Sequence, residues 1–172
     1  MTATAHVVVG VVPGQPDAVV TTAASLARLL GAEVACAWVD SSRLAIERRL
    51  DGSVVSVSMS VEINDAMVET MDPELEHHLG ELLDGAGAPW TAHALAGLPS
   101  QQLGDLADEL DAAMIVVGTR EPGLRGSLHE FFSGSVAAQL SHRQHRPVLV
   151  VPLAPVGLDA PLPWEPDENP SP

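Results

Sequence analysis

The residues best suited to chemistry lie together between positions 113 and 135, AMIVVGTREPGLRGSLHEFFSGS. The apolar run Met114, Ile115, Val116, Val117 stops at Gly118, as a strand buried on both faces of a parallel sheet does. Gly123, Gly126 and Gly134 follow, with Arg125 between two of them. Glycine lets a backbone approach a ligand or take a positive φ, and backbone N–H groups at a helix start attract phosphate. Ser127 and Glu130 have capping-box spacing, and Ser135 follows the last glycine. Arg120 and Arg125 can each pair with a phosphate or serve as surface charges on an acidic chain. These residues alone leave two readings open: an anion cradle, or a plain strand-to-helix connection.

Other reactive side chains carry less. Cys36 sits among Val34, Ala35, Ala37 and Trp38 and reads as a packed, inert thiol. His77 and His78 are adjacent, so they fall on neighbouring helix faces and do not converge as i, i+4 metal ligands would. His93 has no evident partner and reads as structural. Asp105, Asp108, Glu109 and Asp111 flank an amphipathic helix and read as a solvated face. His142, Arg143, His145 and Arg146 cluster where a helix ends, and positive charge suits the dipole there. Walker, nucleophile-elbow and zincin motifs are absent, and no nucleophile has a base at catalytic spacing.

The elements that must position the glycine stretch can be read in order. Residues 6–12, HVVVGVV, form a first strand. PGQP breaks it, and Pro16 suits a first helical turn. Val19, Ala23, Leu26 and Leu30 share one helical face, which Gly31 ends. Residues 33–39 are a second strand, completing a parallel crossover unit. In segment 40–72, Val55, Val57, Met59, Val61 and Ile63 alternate with Ser56, Ser58, Ser60 and Glu62. That period fits a strand with its apolar face buried, in a hairpin-like excursion or at an edge; an extended covering loop is the alternative. Met59, Met67 and Met71 read as core gap-fillers rather than a contact surface. Asp72-Pro73 starts a helix with Leu75, Leu79, Leu82 and Ala86 on one face. Residues 90–96 are a third strand. Pro99-Ser100 opens a helix with Leu103, Leu106, Ala107 and Leu110 on one face. After the glycine stretch a helix runs to about Arg143, and residues 147–151 are a fifth strand. Alternating strands and helices predict an open five-stranded parallel α/β sheet with helices on both faces.

The stretch also resembles the signature of the universal stress protein family: a strand ending in glycine, two residues, a second glycine, nine residues, then Gly-Ser or Gly-Thr, a helix and a Pro-Val-Leu-Val-Val strand. Gly118, Gly134-Ser135 and Pro147-Val148-Leu149-Val150-Val151 match it. The middle departs: Gly118 to Gly134 spans sixteen positions where the pattern has thirteen, so Leu124 falls where the second glycine belongs and Gly123 is one position off. The resemblance implies the adenine nucleotide alpha hydrolase-like fold with strand order 3-2-1-4-5, whose winding reverses between strands one and four. Ligands bind outside the carboxyl ends at such a point. Candidate cofactor-binding residues are therefore Val12, Pro13 and Gly14 after strand one, and Gly118, Thr119, Arg120, Gly123, Arg125, Gly126, Gly134, Ser135 and Val136 after strand four. The implied cofactor is ATP or another adenine nucleotide, with Mg only alongside ATP. ATP-binding members place an aspartate after strand one, for ribose hydroxyls or a metal; Val12 stands there instead. Strand 147–151 is last in that order and so an edge open to pairing; the resemblance likewise implies an antiparallel homodimer through it, and arginine at Leu149 and Val151 is expected to break the dimer.

Composition bounds the function. At 172 residues with 46% hydrophobic content the chain is long enough for a real core. The formal charge is −15 and all eight basic residues are arginine, which argues against nucleic acid and anionic membranes as partners. One cysteine excludes an internal disulfide and suits a reducing compartment. No signal peptide or membrane-length apolar run is evident, so the expected location is cytoplasmic. The expected organisation is one domain over 1–152, carrying additional material at 40–72, then an acidic tail at 153–172; residues 152–172 hold seven prolines and four acids. Trp164 stands out there as a side chain that needs somewhere to pack. The expected function is a non-catalytic stress-response module acting by dimerisation and binding of an unknown protein partner. The alternatives are an ATP-binding regulatory switch and, remotely, a nucleotide-acting hydrolase.

Overall fold

The computed structural model describes residues 5–59, 66–119, 135–153, 155 and 157. Its centre is a parallel sheet of five strands: β1 (Ala5–Gly10), β2 (Ala32–Asp40), β6 (Trp90–Ala96), β7 (Met114–Gly118) and β8 (Val148–Val151). Their spatial order is β6-β2-β1-β7-β8, which is 3-2-1-4-5 among these five. The β-branched runs that predicted these strands fill the interior. Val7, Val8 and Val9 are wholly buried, because successive residues face opposite sides and both sides are covered.

Helices α1 (Ala18–Leu30) and α2 (Pro73–Ala86) cover one face, and α3 (Pro99–Glu109) and α4 (Val136–Arg143) the other. Helix α1 meets the sheet through Val19, Val20, Ala23, Ala24 and Ala27, while Leu30 is half-exposed. Small side chains allow the closer approach, so the buried stripe turns away from the expected Leu26–Leu30 edge. Asp72 caps α2 by accepting the Glu74 and Leu75 N–H groups at 2.9 and 3.1 Å. Its buried face is Leu75, Leu79 and Leu83, with Leu82 and Ala86 only packed alongside. Cys36 is fully buried, and burial pushes its thiol up to about 12.

Segment 40–72 contains a second sheet, antiparallel, ordered β3 (Arg43–Arg48), β4 (Val54–Ser58) and β5 (Met67–Glu69). Its covered face inverts the expected pattern. Val54 and Ser56 are wholly buried, whereas Val55 and Val57 are only half-buried. Val54 packs on Ala94 and Ala96, and Ser56 is held in a polar network. Arg43 Nε donates to Ser56 Oγ at 2.7 Å, Ser56 Oγ donates to Glu69 Oε2 at 2.9 Å, and Arg43 pairs with Glu69 at 2.8 Å. Residues 60–65, which include Val61 and Ile63, lie outside the described residues. Met71 fills the core as expected, while Met59 and Met67 are exposed.

In the basic cluster at the end of α4, His142 and Arg143 occupy the last turn as expected, while Arg146 has a different job. Arg146 reaches back to α3: its Nε donates to Ala112 O at 2.7 Å and its guanidinium meets Asp108 and Asp111. It therefore ties down the turn into β7. The acids Asp108 and Asp111, expected as a solvated face, supply its counter-charge.

Candidate functional site

The loops after β1 and β7 meet where the winding reverses. Val12, Pro13, Gly14 and Gln15 form a tight turn with Pro13 and Gly14 central and Gly14 at φ +74, as a type II turn requires. Gln15 N–H donates to Val12 O at 3.2 Å, and Val12 N–H donates to Gln15 Oε1 at 3.3 Å. The turn leaves the Gln15 amide nitrogen beside Gly118, 3.1 Å from where a Cβ would sit. Gly118 is enclosed as well by Leu153 Cδ1 and Val19 Cγ2, which such a Cβ would meet at 2.9 and 3.0 Å. Glycine here lets three elements close together, and the space above it is filled by the chain's own side chains.

These loops bound a cleft of about 470 Å³, within the size range of small-molecule sites. Val12, Val39, Leu103, Val117, Val136 and Leu153 give it largely apolar walls. Gln15, Ser41 and Thr119 are its polar side chains, and no charged residue lines it among those described. Thr119 N–H donates to Val151 O at 2.9 Å, and Thr119 Oγ1 accepts the Leu153 N–H at 2.9 Å, so the chain leaving β8 is pinned along the rim. Ser135 caps α4, accepting the Ala138 N–H at 3.3 Å. Such a cleft offers an apolar slot for a flat neutral ring and a few hydrogen-bonding groups at its mouth.

Of the sequence-predicted residues, the structure brings Val12, Pro13, Gly14, Gly118, Thr119 and Val136 to this one cleft, with Ser135 next to it. Arg120, Gly123, Arg125, Gly126 and Gly134, and with them the Ser127–Glu130 pair, lie outside the described residues. Gln15 belongs to the loop the sequence reading placed there, whereas Val39, Ser41, Pro99, Leu103 and Leu153 are among the lining residues it missed. The order 3-2-1-4-5 signals Val39 and Ser41, since it sets the end of β2 beside β1. Leu153 follows the last strand and carries no local signal.

The histidines stand apart from the cleft. His78 Nε2 lies 2.7 Å from Asp17 Oδ1, and His77 lies 3.7 Å from Glu81, so the adjacent pair diverges. The His78–Asp17 pair borders a smaller cavity of about 140 Å³ on the far side of the Val12–Gln15 turn. His93 Nε2 lies 3.1 Å from Thr91 Oγ1. Burial lowers the His93 pKa, with nearby His6 and Arg48 adding to the effect and Glu33 opposing it.

A sheet of order 3-2-1-4-5 with helices on both faces and a cleft at its switch point defines the class of an open, doubly wound α/β fold. The model of the universal stress protein family matches residues 4–152, and the chain belongs to that family. None of the curated proteins matches it in sequence. Among solved structures, it is similar to a universal stress protein from Archaeoglobus fulgidus, with 24% identity, 86% of this chain and 98% of that chain covered, and a TM-score of 0.57. A second, a universal stress protein in complex with cAMP, shows 22% identity, coverage of 89% and 100%, and a TM-score of 0.58. A third, the Archaeoglobus fulgidus protein in complex with dAMP, shows 23% identity, coverage of 87% and 99%, and a TM-score of 0.57. At these identities the likeness establishes the fold.

Proposed function

We propose that the protein is a cytoplasmic, non-catalytic stress-response module that binds an adenine nucleotide in the cleft between β1 and β7 and dimerises through β8. One observation carries the nucleotide reading: the cleft, apolar and without a charged side chain among the described residues, lies between the points where the glycine stretch departs, at Gly118-Thr119, and returns, at Ser135-Val136. Complexes of similar folds with cAMP and dAMP support it. In this reading the base lies against Val39, Leu103 and Val136, and the phosphate meets Gly134, Ser135 and Arg125. Val12 is half-exposed at the cleft and offers no carboxylate. ATP should therefore bind no better with Mg than without it, and Val12→Asp should confer a Mg-dependent gain.

Isothermal calorimetry with AMP, cAMP and ATP tests the site. Arg125→Ala should weaken binding about tenfold or more, the scale of a lost charge-assisted bond. Unchanged affinity would place the phosphate elsewhere, and no heat with any of the three would leave a module that works through protein partners alone.

The dimer reading rests on β8, an edge strand whose Leu149 and Val150 are over a third exposed. The expected pair of arginine sites needs amending, because Val151 is buried in the core. Leu149→Arg is the clean probe. It should convert a dimer at micromolar concentration to monomer in sedimentation, and a wild-type monomer would refute the reading.

A further inference from the structure

Two features of the C-terminal end are left over from the proposed function. The first is the path of the chain after β8. Thr119 Oγ1 holds the Leu153 N–H, and the Leu153 side chain lies over Gly118 as part of the cleft wall. The chain therefore leaves the sheet at the rim of the cleft. The second is the composition of that segment. Leu162, Pro163 and Trp164 close an apolar, proline-rich stretch and supply its one aromatic ring, and Glu165, Asp167 and Glu168 come directly after it. Trp164 stands eleven positions beyond Leu153, with Gly157 between them to let the chain turn back.

We infer that residues 162–164 of the same chain seat in this cleft and that adenine nucleotide displaces them. The chemistry of the two occupants is alike: an indole is a flat ring as a purine is, and the carboxylates beside it carry the sign of a phosphate. The walls that would take the ring, Val39, Leu103, Val136 and Leu153, are apolar. Tethering favours such contact, since a short flexible linker holds its end at roughly millimolar effective concentration. The displacement half of the inference rests on the nucleotide reading above; the seating half stands without it.

Engineered cysteines separate the two. Cys36 is fully buried and does not compete. The full chain carrying Ser41→Cys and Glu165→Cys should close an intramolecular disulfide under mild oxidation at least tenfold faster than a chain carrying Leu29→Cys and Glu165→Cys. Leu29 is a fair control because it is exposed on α1, away from the cleft. Where Ser41→Cys fails to fold by circular dichroism, Val12→Cys takes its place. Equal rates for the two pairs overturn the inference, and so does a disulfide found only between chains, which would put the segment on a partner subunit. Millimolar AMP should slow the cleft pair several-fold and leave the control pair unchanged. Fast closure unaffected by AMP overturns displacement while seating stands. If calorimetry also shows no AMP binding, it is the nucleotide reading that has failed.

Discussion

The two sheets of this protein are built from similar residues and end in opposite situations. In the five-stranded parallel sheet, crossover helices lie on both faces, so Val7, Val8, Val9, Ile115 and Val116 are all buried irrespective of which way they point. In the three-stranded antiparallel sheet there are no crossover helices among the described residues. One face packs on β6 through Val54 and Ala45, and the other is left outward with Leu44 and Val68 at least half exposed. The same β-branched and aliphatic side chains thus make core in one sheet and surface in the other. Strand propensity is a local property, and burial is decided by what the connections carry over each face.

The covered faces differ as well. The parallel sheet is sealed mainly by apolar side chains, while the small sheet encloses the Arg43–Ser56–Glu69 network. The seam between them is narrow. Gly52, in the turn joining β3 to β4 at φ +82, accepts the Ala94 N–H with its carbonyl at 2.8 Å and so occupies the free edge of β6. An edge strand left open invites pairing with other chains, and the turn removes that opportunity here.

The comparison can be broken or sharpened by substitution. The largest effect is expected in the parallel core: Leu83→Ala, under α2, should cost about 2–5 kcal/mol in urea unfolding. A loss under 1 kcal/mol would mean that α2 does not seal that face. Gly52→Ala comes next. Its Cβ would stand 2.1 Å from Ala92 O, and the positive φ adds strain of about 1–2 kcal/mol. The turn must then leave β6, so the Ala94 amide should lose hydrogen-exchange protection while Val8 and Val116 keep theirs. Loss at all three positions would show the two sheets to be one cooperative unit.

Smaller effects are expected on the outer face and at the seam. Leu44→Ser with Ile46→Ser should change stability by less than about 1 kcal/mol, because both side chains are already mostly exposed. A larger loss would reveal that something covers this face in solution. The smallest effect concerns pH. Burial lowers the His93 pKa in the folded chain, so the unfolded chain binds the proton more readily. Its contribution to stability is present above the unfolded value of about 6.5 and is lost as pH falls below it. His93→Gln should therefore flatten the decline in urea midpoint between pH 7.5 and 5.5, and an unchanged slope would remove His93 as its source.

Much of this was legible in residue order. Continuous apolar runs identified the parallel strands, since only a strand covered on both faces tolerates them. Asp72-Pro73 fixed the start of α2 through capping chemistry that acts over three residues, and the glycine stretch with the closing Pro-Val-Leu-Val-Val strand pointed to the switch point and to about a third of the cleft lining. The remainder depends on contacts far apart in sequence. That Ser56 is buried and Val55 is not follows from Arg43 and Glu69 arriving on the same face, each thirteen positions away. That Arg146 serves α3 rather than its own helix follows from Asp108 and Ala112 lying beside it in space. Leu153 closes the cleft because Thr119, thirty-four positions away in sequence, accepts its amide N–H. Periodicity and capping act within a few residues of chain, so the sequence by itself determines elements and their order. Which face is covered, and by whose side chain, is settled only when the elements pack.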